Sequence, residues 1–351
     1  MTKPALPVKH QTGHIGVTMR FAVVCSVRNE GPFLIEWITW YRRIGFTDIV
    51  VVTNDCTDHS PQMLDLFGQA GWITHLRHEV PDRQQICARK LAAAKALPQV
   101  DGADWVLVCD VDEFLVIHRG EGLITDLIPP RADFLGMSIN WRVFGTSGRD
   151  LWEDGLTHRQ FRFAAESGSS ACSSVKSIHA HPNWFRKLGE HGPKRLLPRR
   201  AAAWGTSGMR WVNADGTTLP DWHPEGDYMR KTAPEHISHV SAQMNHYMVR
   251  SKESFWLKKG QLSSVAGKNR YTDSFFERYN RNEVEDLSAL THAKAFDELH
   301  AKAMALPGIR HLHHLCCADY IARIAAKAGR PPQSDPRHAL HLAQAEAAKA
   351  I

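Results

Sequence analysis

Residues 104–117 read DWVLVCDVDEFLVI, an apolar run that leads into two aspartates one residue apart, Asp110 and Asp112. The run from Asp104 to Cys109 is rich in valine and leucine, which is typical of a strand buried on both faces. Open parallel sheets bind ligands beyond the carboxyl ends of their strands. The stretch therefore predicts a buried parallel strand with a ligand site at its end.

Upstream of this stretch, apolar runs alternate with helical patterns. Gly45 is placed to cap the end of the first helix, and Ser60 is placed as the N-cap of the second. Strands that alternate with helices favour the α/β class, with a largely parallel sheet covered on both faces. The predicted strands are residues 21–27, 48–53, 72–76 and 104–109, and the predicted helices are residues 33–44, 60–67 and 83–97.

Beyond Pro129-Pro130 the alternation weakens. Residues 134–141 read as one more strand, whereas residues 142–245 are rich in Gly, Ser, His and Trp, which suggests substrate-facing loops on a scaffold. Helices are predicted at residues 252–261, 293–304 and 312–327. The predicted organisation is an N-terminal tail (1–18), an α/β domain (19–260), a C-terminal helical region (261–330) and a C-terminal tail (331–351).

The composition is that of a soluble globular protein. The 351 residues are 43% hydrophobic and 23% charged, which excludes a disordered or low-complexity chain. The formal net charge is +6, without a dense basic stripe, so we expect no nucleic-acid partner. The basic pairs Lys194-Arg195 and Arg199-Arg200 read as solvated surface, with peripheral membrane contact as the alternative.

No window of the sequence approaches 18 consecutive apolar residues, and the N-terminal residues lack the apolar core of a signal peptide. The expected location is therefore the cytoplasm, with peripheral contact at the inner face of the membrane left open. The seven cysteines include no CxxC pair, and several lie inside apolar runs. We interpret them as reduced thiols.

The spacing of Asp110 and Asp112 predicts a cation site. Two unpaired carboxylates in an apolar setting would cost several kcal/mol, whereas a divalent cation would hold them. Mg²⁺ and Mn²⁺ are bound in this way beside a substrate diphosphate, whose oxygens complete the coordination shell. The alternative is that both aspartates are solvated loop acids or helix caps.

Further segments accompany this motif in a fixed order: VRNEGPFLIEWITWYRRIGFTDIVVVTNDCTD (27–58), RQQICARKLAAAK (83–95), SINWRVFGTSGRD (138–150), VKSIH (175–179) and NHYMVRSKESFWLKKG (245–260). Together with residues 104–117 they resemble the nucleotide-sugar glycosyltransferases of the GT-A fold, in the family 2-like group that shades into family 92. The resemblance implies a Rossmann-like, mostly parallel sheet flanked by helices, with a C-terminal helical extension.

The resemblance also implies site residues. For three of these residues a purely structural role is the alternative. Asp55 would then be a turn residue, Arg89 an exposed charge on a helix and His246 a packed histidine. Glu113 would either contact the acceptor or only position the loop. The implied roles are nucleotide binding for Val27, Arg28, Glu30, Asp55 and Arg89, binding of the metal and of the ribose or diphosphate for Asp110 and Asp112, and closure over the metal for His246.

A catalytic base is harder to place. Inverting displacement needs a carboxylate or imidazole within hydrogen-bond reach of the acceptor hydroxyl. Asp154 is our first candidate, followed by Glu153 and Asp150, because these acids follow the Asp110 motif in a polar loop. Many relatives carry a glutamate in the stretch that here reads LTHRQF (156–161), and its absence prevents a simple transfer of the base from that stretch.

Two other clusters of residues each allow two interpretations. A zinc site among the histidines and cysteines of residues 311–317 is geometrically conceivable, but no second pair completes a four-ligand set, and packing is favoured. Six tryptophans could form either a wall that stacks on sugars or part of the core. These residues are His311, His313, His314, Cys316 and Cys317, and Trp141, Trp152, Trp184, Trp204, Trp211 and Trp222.

The resulting hypothesis is a metal-dependent hexosyltransferase that uses Mn²⁺ or Mg²⁺. It would move a hexose from a nucleotide diphosphate sugar, UDP-linked, to a polysaccharide or glycolipid acceptor with inversion. One alternative is a nucleotidyltransferase that makes a sugar nucleotide, although residues 28–32 (RNEGP) lack the glycine-rich loop of such enzymes. The other alternative is a catalytically inactive carbohydrate-binding protein.

Overall fold

The computed structural model describes residues 19–80, 85–204, 206–260 and 270–349. Thirteen strands and twelve α-helices lie within these ranges. The strands are β1 (Phe21–Val27), β2 (Asp48–Thr53), β3 (Thr74–Arg77), β4 (Trp105–Val108), β5 (Glu113–Ile117), β6 (Gly136–Val143), β7 (Phe163–Ala164), β8 (Val175–Ala180), β9 (Phe185–Gly189), β10 (Gly192–Leu196), β11 (Trp211–Asn213), β12 (Ala242–His246) and β13 (Val284–Glu285). The helices are α1 (Gly31–Arg43), α2 (Ser60–Gln69), α3 (Ile86–Lys95), α4 (Pro98–Asp101), α5 (Ile124–Leu127), α6 (Thr157–Gln160), α7 (Pro198–Ala202), α8 (Lys252–Lys258), α9 (Asp273–Tyr279), α10 (Ala293–Met304), α11 (Ile309–Lys327) and α12 (Pro336–Ala348).

One large sheet organises the molecule. Its strand order is β3-β2-β1-β4-β8-β6-β12-β5, and β11 also pairs with β6. The first four strands are parallel, β8 runs antiparallel to both of its neighbours, and β5 runs antiparallel to β12. The predicted class is confirmed: this is an α/β fold with a mostly parallel sheet, flanking helices and a C-terminal helical region, consistent with a GT-A-like fold.

Helices cover the parallel half of the sheet on both faces. Val23 and Cys25 of β1 face the core that contains α1 and α2, whereas Ala22 and Val24 face the core that contains α3 and α4. Successive residues of a strand point to opposite faces, so a strand covered on both faces needs an unbroken apolar run. This is the physical reason that the sequence of β1 is apolar throughout.

The predicted elements of the first half agree with the structure apart from their ends. Strands β1 and β2 have the predicted bounds, and Gly45 adopts φ +95° just after α1, as expected of a helix-terminating glycine. The prediction that Ser60 caps α2 is wrong by one residue. Ser60 is the first residue of the helix and His59 is its N-cap, while the Asp58 carboxylate accepts from the Ser60 amide at 3.2 Å.

The prediction of substrate-facing loops over residues 142–245 is incomplete, because this stretch also contributes β8 and β12 to the sheet. Both strands were missed because their buried side chains are polar. In β8, Lys176 is 1% exposed and Ser177 hydrogen-bonds Ser138 at 2.8 Å. In β12, the Gln243 amide donates to Asn245 at 2.7 Å. Buried polar groups that find partners inside the protein leave no apolar periodicity in the sequence.

Helix α1 joins the sheet to the C-terminal helices. All its residues from Gly31 to Tyr41 are buried. Its indoles also hold the acidic segment in place: Trp37 donates to the backbone carbonyl of Asp110 at 3.1 Å, and Trp40 donates to that of Leu115 at 2.9 Å. A buried indole needs such an acceptor, so the packing of α1 also positions the turn that carries Asp110.

The C-terminal helices cover α1 and α2. Helix α11 packs on both, and α12 lies along α11, where His311 bonds the Ala345 carbonyl at 2.8 Å. Residues 336–348 of the predicted tail therefore form a packed helix. All seven cysteines are free, and Cys56 is only half-buried. Among the helices of the described residues, none combines the length and the apolar character needed to cross a bilayer.

A close approach at the sheet edge yields a stability prediction. Gly136 of β6 lies so close to the Trp211 ring of β11 that an added Cβ would overlap the indole. We expect Gly136→Ala to lower the free energy of unfolding in urea by about 1–3 kcal/mol, because overpacking displaces the ring or the strand. Gly168→Ala is the matched control, since no atom lies within 4 Å of its added Cβ. Equal effects of the two substitutions would contradict the packing described here.

Candidate active site

The site lies where the strand order reverses. Strand β1 pairs with β2 on one side and with β4 on the other, so the crevice at the carboxyl ends of β1 and β4 is the topological switch point of the sheet. Arg28 follows β1, Asp55 follows β2, and Asp110 and Asp112 follow β4. The fold therefore brings together the strand-end residues that the sequence singled out.

Side-chain bonds tie the first two strand-end loops to each other. The Arg28 guanidinium donates from Nε to the Asp55 carbonyl at 3.1 Å, and the Asn29 side chain bonds both the amide and the hydroxyl of Thr57. Asn29 and Asp55 have φ values of +56° and +45°. Non-glycine residues in this left-handed region carry backbone strain, which clusters at functional sites.

The Asp110 carboxylate meets a buried ammonium. Lys176 of β8 lies 2.9 Å from both the Asp110 and the Glu113 carboxylates, and it also donates to the Glu190 carbonyl at 2.7 Å. Burial alone would lower the pKa of Lys176, but the two carboxylates raise it well above its ordinary value. Burial raises the pKa of Glu113, with Lys176 opposing. Asp110 keeps half of its side chain exposed to the crevice.

The Asp112 carboxylate lies between Lys258 and His246. Lys258 of α8 donates to Oδ2 at 3.2 Å, and His246 Nε2 lies 3.6 Å from Oδ1. Burial raises the pKa of Asp112, but Lys258 and His246 outweigh it and hold the pKa well below its ordinary value. His246 also packs edge-on against Trp141, with ring centroids 4.2 Å apart. Asp112 is therefore an anion at neutral pH, and the predicted residue His246 lies beside it.

Arg250 adds buried, unpaired donors near Asp112. Its guanidinium is 1% exposed, lies 3.4 Å over the Phe33 ring and donates to Glu30 at 3.0 Å. Its Nε and one Nη have no hydrogen-bond partner among the residues that the structure describes. Buried guanidinium donors normally bond carboxylates or phosphates. Arg250 also adopts φ +51°, so its own loop carries strain at this point.

Two neighbouring residues of α3, the predicted nucleotide contact Arg89 and the adjacent Lys90, have different surroundings. Arg89 is exposed and lines a cavity of about 820 Å³ between α3 and the β9–β10 hairpin. Lys90 is 4% exposed and donates to the backbone carbonyl of Val27 at 3.3 Å. The cavity adjoins the acidic cluster through Glu190, which lines it and whose carbonyl accepts from Lys176.

The donor set at Asp112 fits a divalent cation. The carboxylate oxygen and imidazole nitrogen that face each other at 3.6 Å are too far apart for a hydrogen bond. Carboxylate and imidazole are common ligands of Mn²⁺, and Asp110 presents its oxygens to the same open crevice. The lysines that pair with both aspartates reduce the negative charge, so any such ion would share these carboxylates with Lys176 and Lys258.

The predicted base candidates have partners elsewhere. Asp150 pairs with Lys252 at 2.8 Å and Glu153 with Arg149 at 2.9 Å, both at the surface. Asp154 lies 3.1 Å from His313. Burial raises the pKa of Asp154, but the neighbouring histidines lower it to about 2. Within the described part of the chain, we find no contact between these acids and the Asp110 cluster, so the geometry gives no support to their predicted role as the base.

Sequence reasoning missed the cations of the site. Lys176, Arg250 and Lys258 lie inside segments that carried the family resemblance, VKSIH and NHYMVRSKESFWLKKG, but nothing local marks them as partners of the aspartates. Among the tryptophans, Trp141 lies at the site beside His246, whereas Trp211 and Trp222 are buried and stack on each other at 4.3 Å.

Comparison with known proteins leaves the family open. No protein-family model matches the chain, and no curated protein sequence matches it. Structures of S. aureus TarS align over most of it: TarS 1–349 has a TM-score of 0.29 at 10% identity, covering 95% of this chain and 90% of TarS 1–349. TarS 1–349 in complex with UDP has a TM-score of 0.34 at 12% identity with the same coverage, and a longer TarS chain has 0.33 at 11%, covering 94% and 54%. Values this low assign neither family 2, family 92 nor an activity to this chain.

The pairing of Asp112 with Lys258 predicts a pH-dependent loss of stability. A carboxyl whose pKa is lowered on folding stabilises the protein above its unfolded pKa, and this contribution is lost as the pH falls through the folded pKa. We expect Lys258→Met to lower the free energy of unfolding at pH 7 by about 1–3 kcal/mol, with a smaller difference at acid pH, measured by urea unfolding. Lys259→Met, which removes a surface pair with Asp273, should change little. An equal loss at both pH values would contradict the assignment.

Proposed function

We propose that this protein is a metal-dependent glycosyltransferase that transfers a hexose from a nucleotide diphosphate sugar, UDP-linked, to a glycan or glycolipid acceptor. The observation that carries the proposal is the cluster at the switch point. Half-exposed Asp110 and ionised Asp112 follow β4, and Asp112 interacts electrostatically with the buried Arg250 guanidinium, whose Nε and one Nη have no partner among the described residues. An anion accompanied by a divalent cation satisfies both kinds of group.

The diphosphate would be bound by cations of this chain. Arg250 has two free N–H donors for phosphate oxygens, and the ammoniums of Lys258 and Lys90 add positive charge to the crevice. When the bond between the sugar and the diphosphate breaks, negative charge grows on the leaving phosphate, and fixed positive groups stabilise it. A divalent ion held by Asp110, Asp112 and His246 would supply Lewis-acid stabilisation of the same charge.

Two surfaces adjoin the acidic cluster, one suited to the nucleoside of the donor and the other to a sugar or acceptor. The strand-end loops of Arg28 and Asp55 are suited to the nucleoside, because backbone and side-chain polar groups are exposed there beside β1 and β2. The cavity lined by Arg89, Lys194 and Tyr228 adjoins the acidic cluster and offers room for a sugar or acceptor. Inversion at the anomeric carbon and the identity of the base stay predictions, with Asp154, Glu153 and Asp150 as the candidates to substitute.

The first test is release of nucleoside diphosphate from a panel of nucleotide sugars, with Mn²⁺, with Mg²⁺ and with neither ion. We expect release from one donor class that depends on the ion, and a fall in kcat/KM of at least about a hundredfold in Asp112→Asn. Asp133→Asn serves as the matched control, since it removes an exposed carboxylate outside the cluster. If no donor is cleaved and none shifts the Tm, the chain is not a transferase.

Arg250 allows a second test, of donor binding. Arg250→Lys keeps a positive charge beside Glu30 but removes the planar fork with its unpaired donors. We expect KM for the donor to rise by about tenfold, which corresponds to the loss of one hydrogen bond to a charged group, while kcat changes less. Arg200→Lys is the control, because Arg200 also stacks on an aromatic ring, Trp184, at 3.8 Å. An unchanged KM in Arg250→Lys would exclude diphosphate binding by Arg250.

A further inference from the structure

A second cluster of potential metal ligands lies where α11, α12 and the segment after β6 meet. Asp154 comes from that segment, His313 and Cys317 come from α11, and His341 comes from α12. Ligand atoms of Asp154, Cys317 and His341 all lie within 4.8 Å of one another, and so do those of Asp154, His313 and His314. The two groups share Asp154, so the tertiary structure gathers one continuous set of oxygen, nitrogen and sulfur donors.

The spacing of these donors is close to that of ligands around a small ion, with the nitrogen–sulfur distance inside the expected range and the two nitrogen–oxygen distances just below it. His313 Nε2 lies 3.1 Å from each Asp154 carboxylate oxygen and 3.6 Å from Cys317 Sγ. Two ligands of a tetrahedral Zn²⁺ ion, at about 2.0–2.3 Å from the metal, are separated by about 3.3–3.8 Å. One imidazole N–H cannot form good hydrogen bonds to two carboxylate oxygens and a sulfur atom at once. A single cation, by contrast, would be coordinated by all of these atoms and by the imidazole nitrogen.

The last histidine is oriented by a neighbour. His341 Nδ1 faces His314 Nδ1 at 3.3 Å, which leaves Nε2 of His341 for the ion. A ring that binds a metal through one nitrogen commonly has a hydrogen-bond partner at the other, and this partner sets its orientation. His314 would therefore act as the positioning residue of His341.

Burial and charge favour occupation of this cluster. Cys317 is fully buried, His341 is 5% exposed and His313 is 8% exposed. A thiolate and a carboxylate carry two negative charges in this setting, and Zn²⁺ neutralises them. Neighbouring groups in the sequence do not belong to the set: His311 bonds the Ala345 carbonyl, and Cys316 packs against Gly31.

We propose that Asp154, His313, Cys317 and His341 bind one Zn²⁺ ion that fastens α12 and the segment after β6 to α11. The mixture of imidazole, thiolate and carboxylate is characteristic of zinc and unlike the oxygen-rich sets that Mg²⁺ takes. Four protein ligands leave no open position, as in structural sites. On binding, the Cys317 thiol loses its proton to solvent and the metal–sulfur bond forms. The proposal assigns Asp154 to this site rather than to the catalytic base, and it does not depend on the activity at the Asp110 cluster.

The test uses the full chain, purified without chelator. Zinc is measured by mass spectrometry after exhaustive dialysis, then removed and replaced by Co²⁺, whose bond to a thiolate produces a charge-transfer absorption band. We expect about one zinc per chain and a cobalt–thiolate band, with a lower Tm after zinc removal. A chain that retains no zinc and whose Tm does not respond to added Zn²⁺ would overturn the proposal.

Adjacent cysteines provide the matched control. Cys317→Ser should abolish the cobalt–thiolate band, whereas Cys316→Ser, which alters an equally buried cysteine, should retain it. A band that persists in Cys317→Ser would assign the thiolate elsewhere and contradict the site. If Cys317→Ser does not fold, Asp154→Asn is the variant that tests the site. It should weaken zinc binding by at least about tenfold, while the cobalt–thiolate band remains. Asp112→Asn should leave both readouts unchanged, which separates this site from the Asp110 cluster.

Discussion

The ion pairs of Lys176 are the interaction on which the site depends. Its ammonium lies between the Asp110 and Glu113 carboxylates at 2.9 Å from each, in a strand that is otherwise closed to water. Breaking a buried pair by removing one partner leaves an uncompensated charge, which typically costs about 3–5 kcal/mol. The acidic turn after β4 can therefore be held against the sheet only because β8 places a cation beneath it.

The antiparallel direction of β8 gives this pair its geometry. The parallel strands β1, β2 and β4 all end at the same edge of the sheet, whereas β8 begins there and presents Lys176 near its start. Helix α1 holds the same turn from the other side through the indole of Trp37. Arg250 and Lys258 follow β12 and close the crevice from the far half of the sheet. Cations thus reach the aspartates from two separate parts of the chain.

The chain has a second polar centre at Asp154, and its donors differ from those of the Asp110 cluster in their exposure to solvent. At the switch point, half of the Asp110 side chain is exposed, whereas Asp112 and His246 are largely buried. At the junction of α11 and α12, Cys317, His313 and His341 are buried in helices that cover the core, and Asp154 is partly exposed. Open donor sets suit exchangeable ligands, and closed sets suit structural ions. Asp154, which the sequence suggested as a catalytic base, lies in this second centre.

The sequence by itself determined the α/β class, the bounds of β1 and β2 and the clustering of Arg28, Asp55 and Asp110 at one edge, because strand periodicity and the common polarity of parallel strands are local properties. Only the tertiary structure decided that Lys176 and Lys258 pair with the aspartates and Arg250 with Glu30, and that Asp154 joins His313 and Cys317. These partners lie far apart in the sequence. A strand whose buried side chains are polar also shows no apolar periodicity. Their pairing follows from which strands and helices meet, and a single sequence does not encode that in any local pattern.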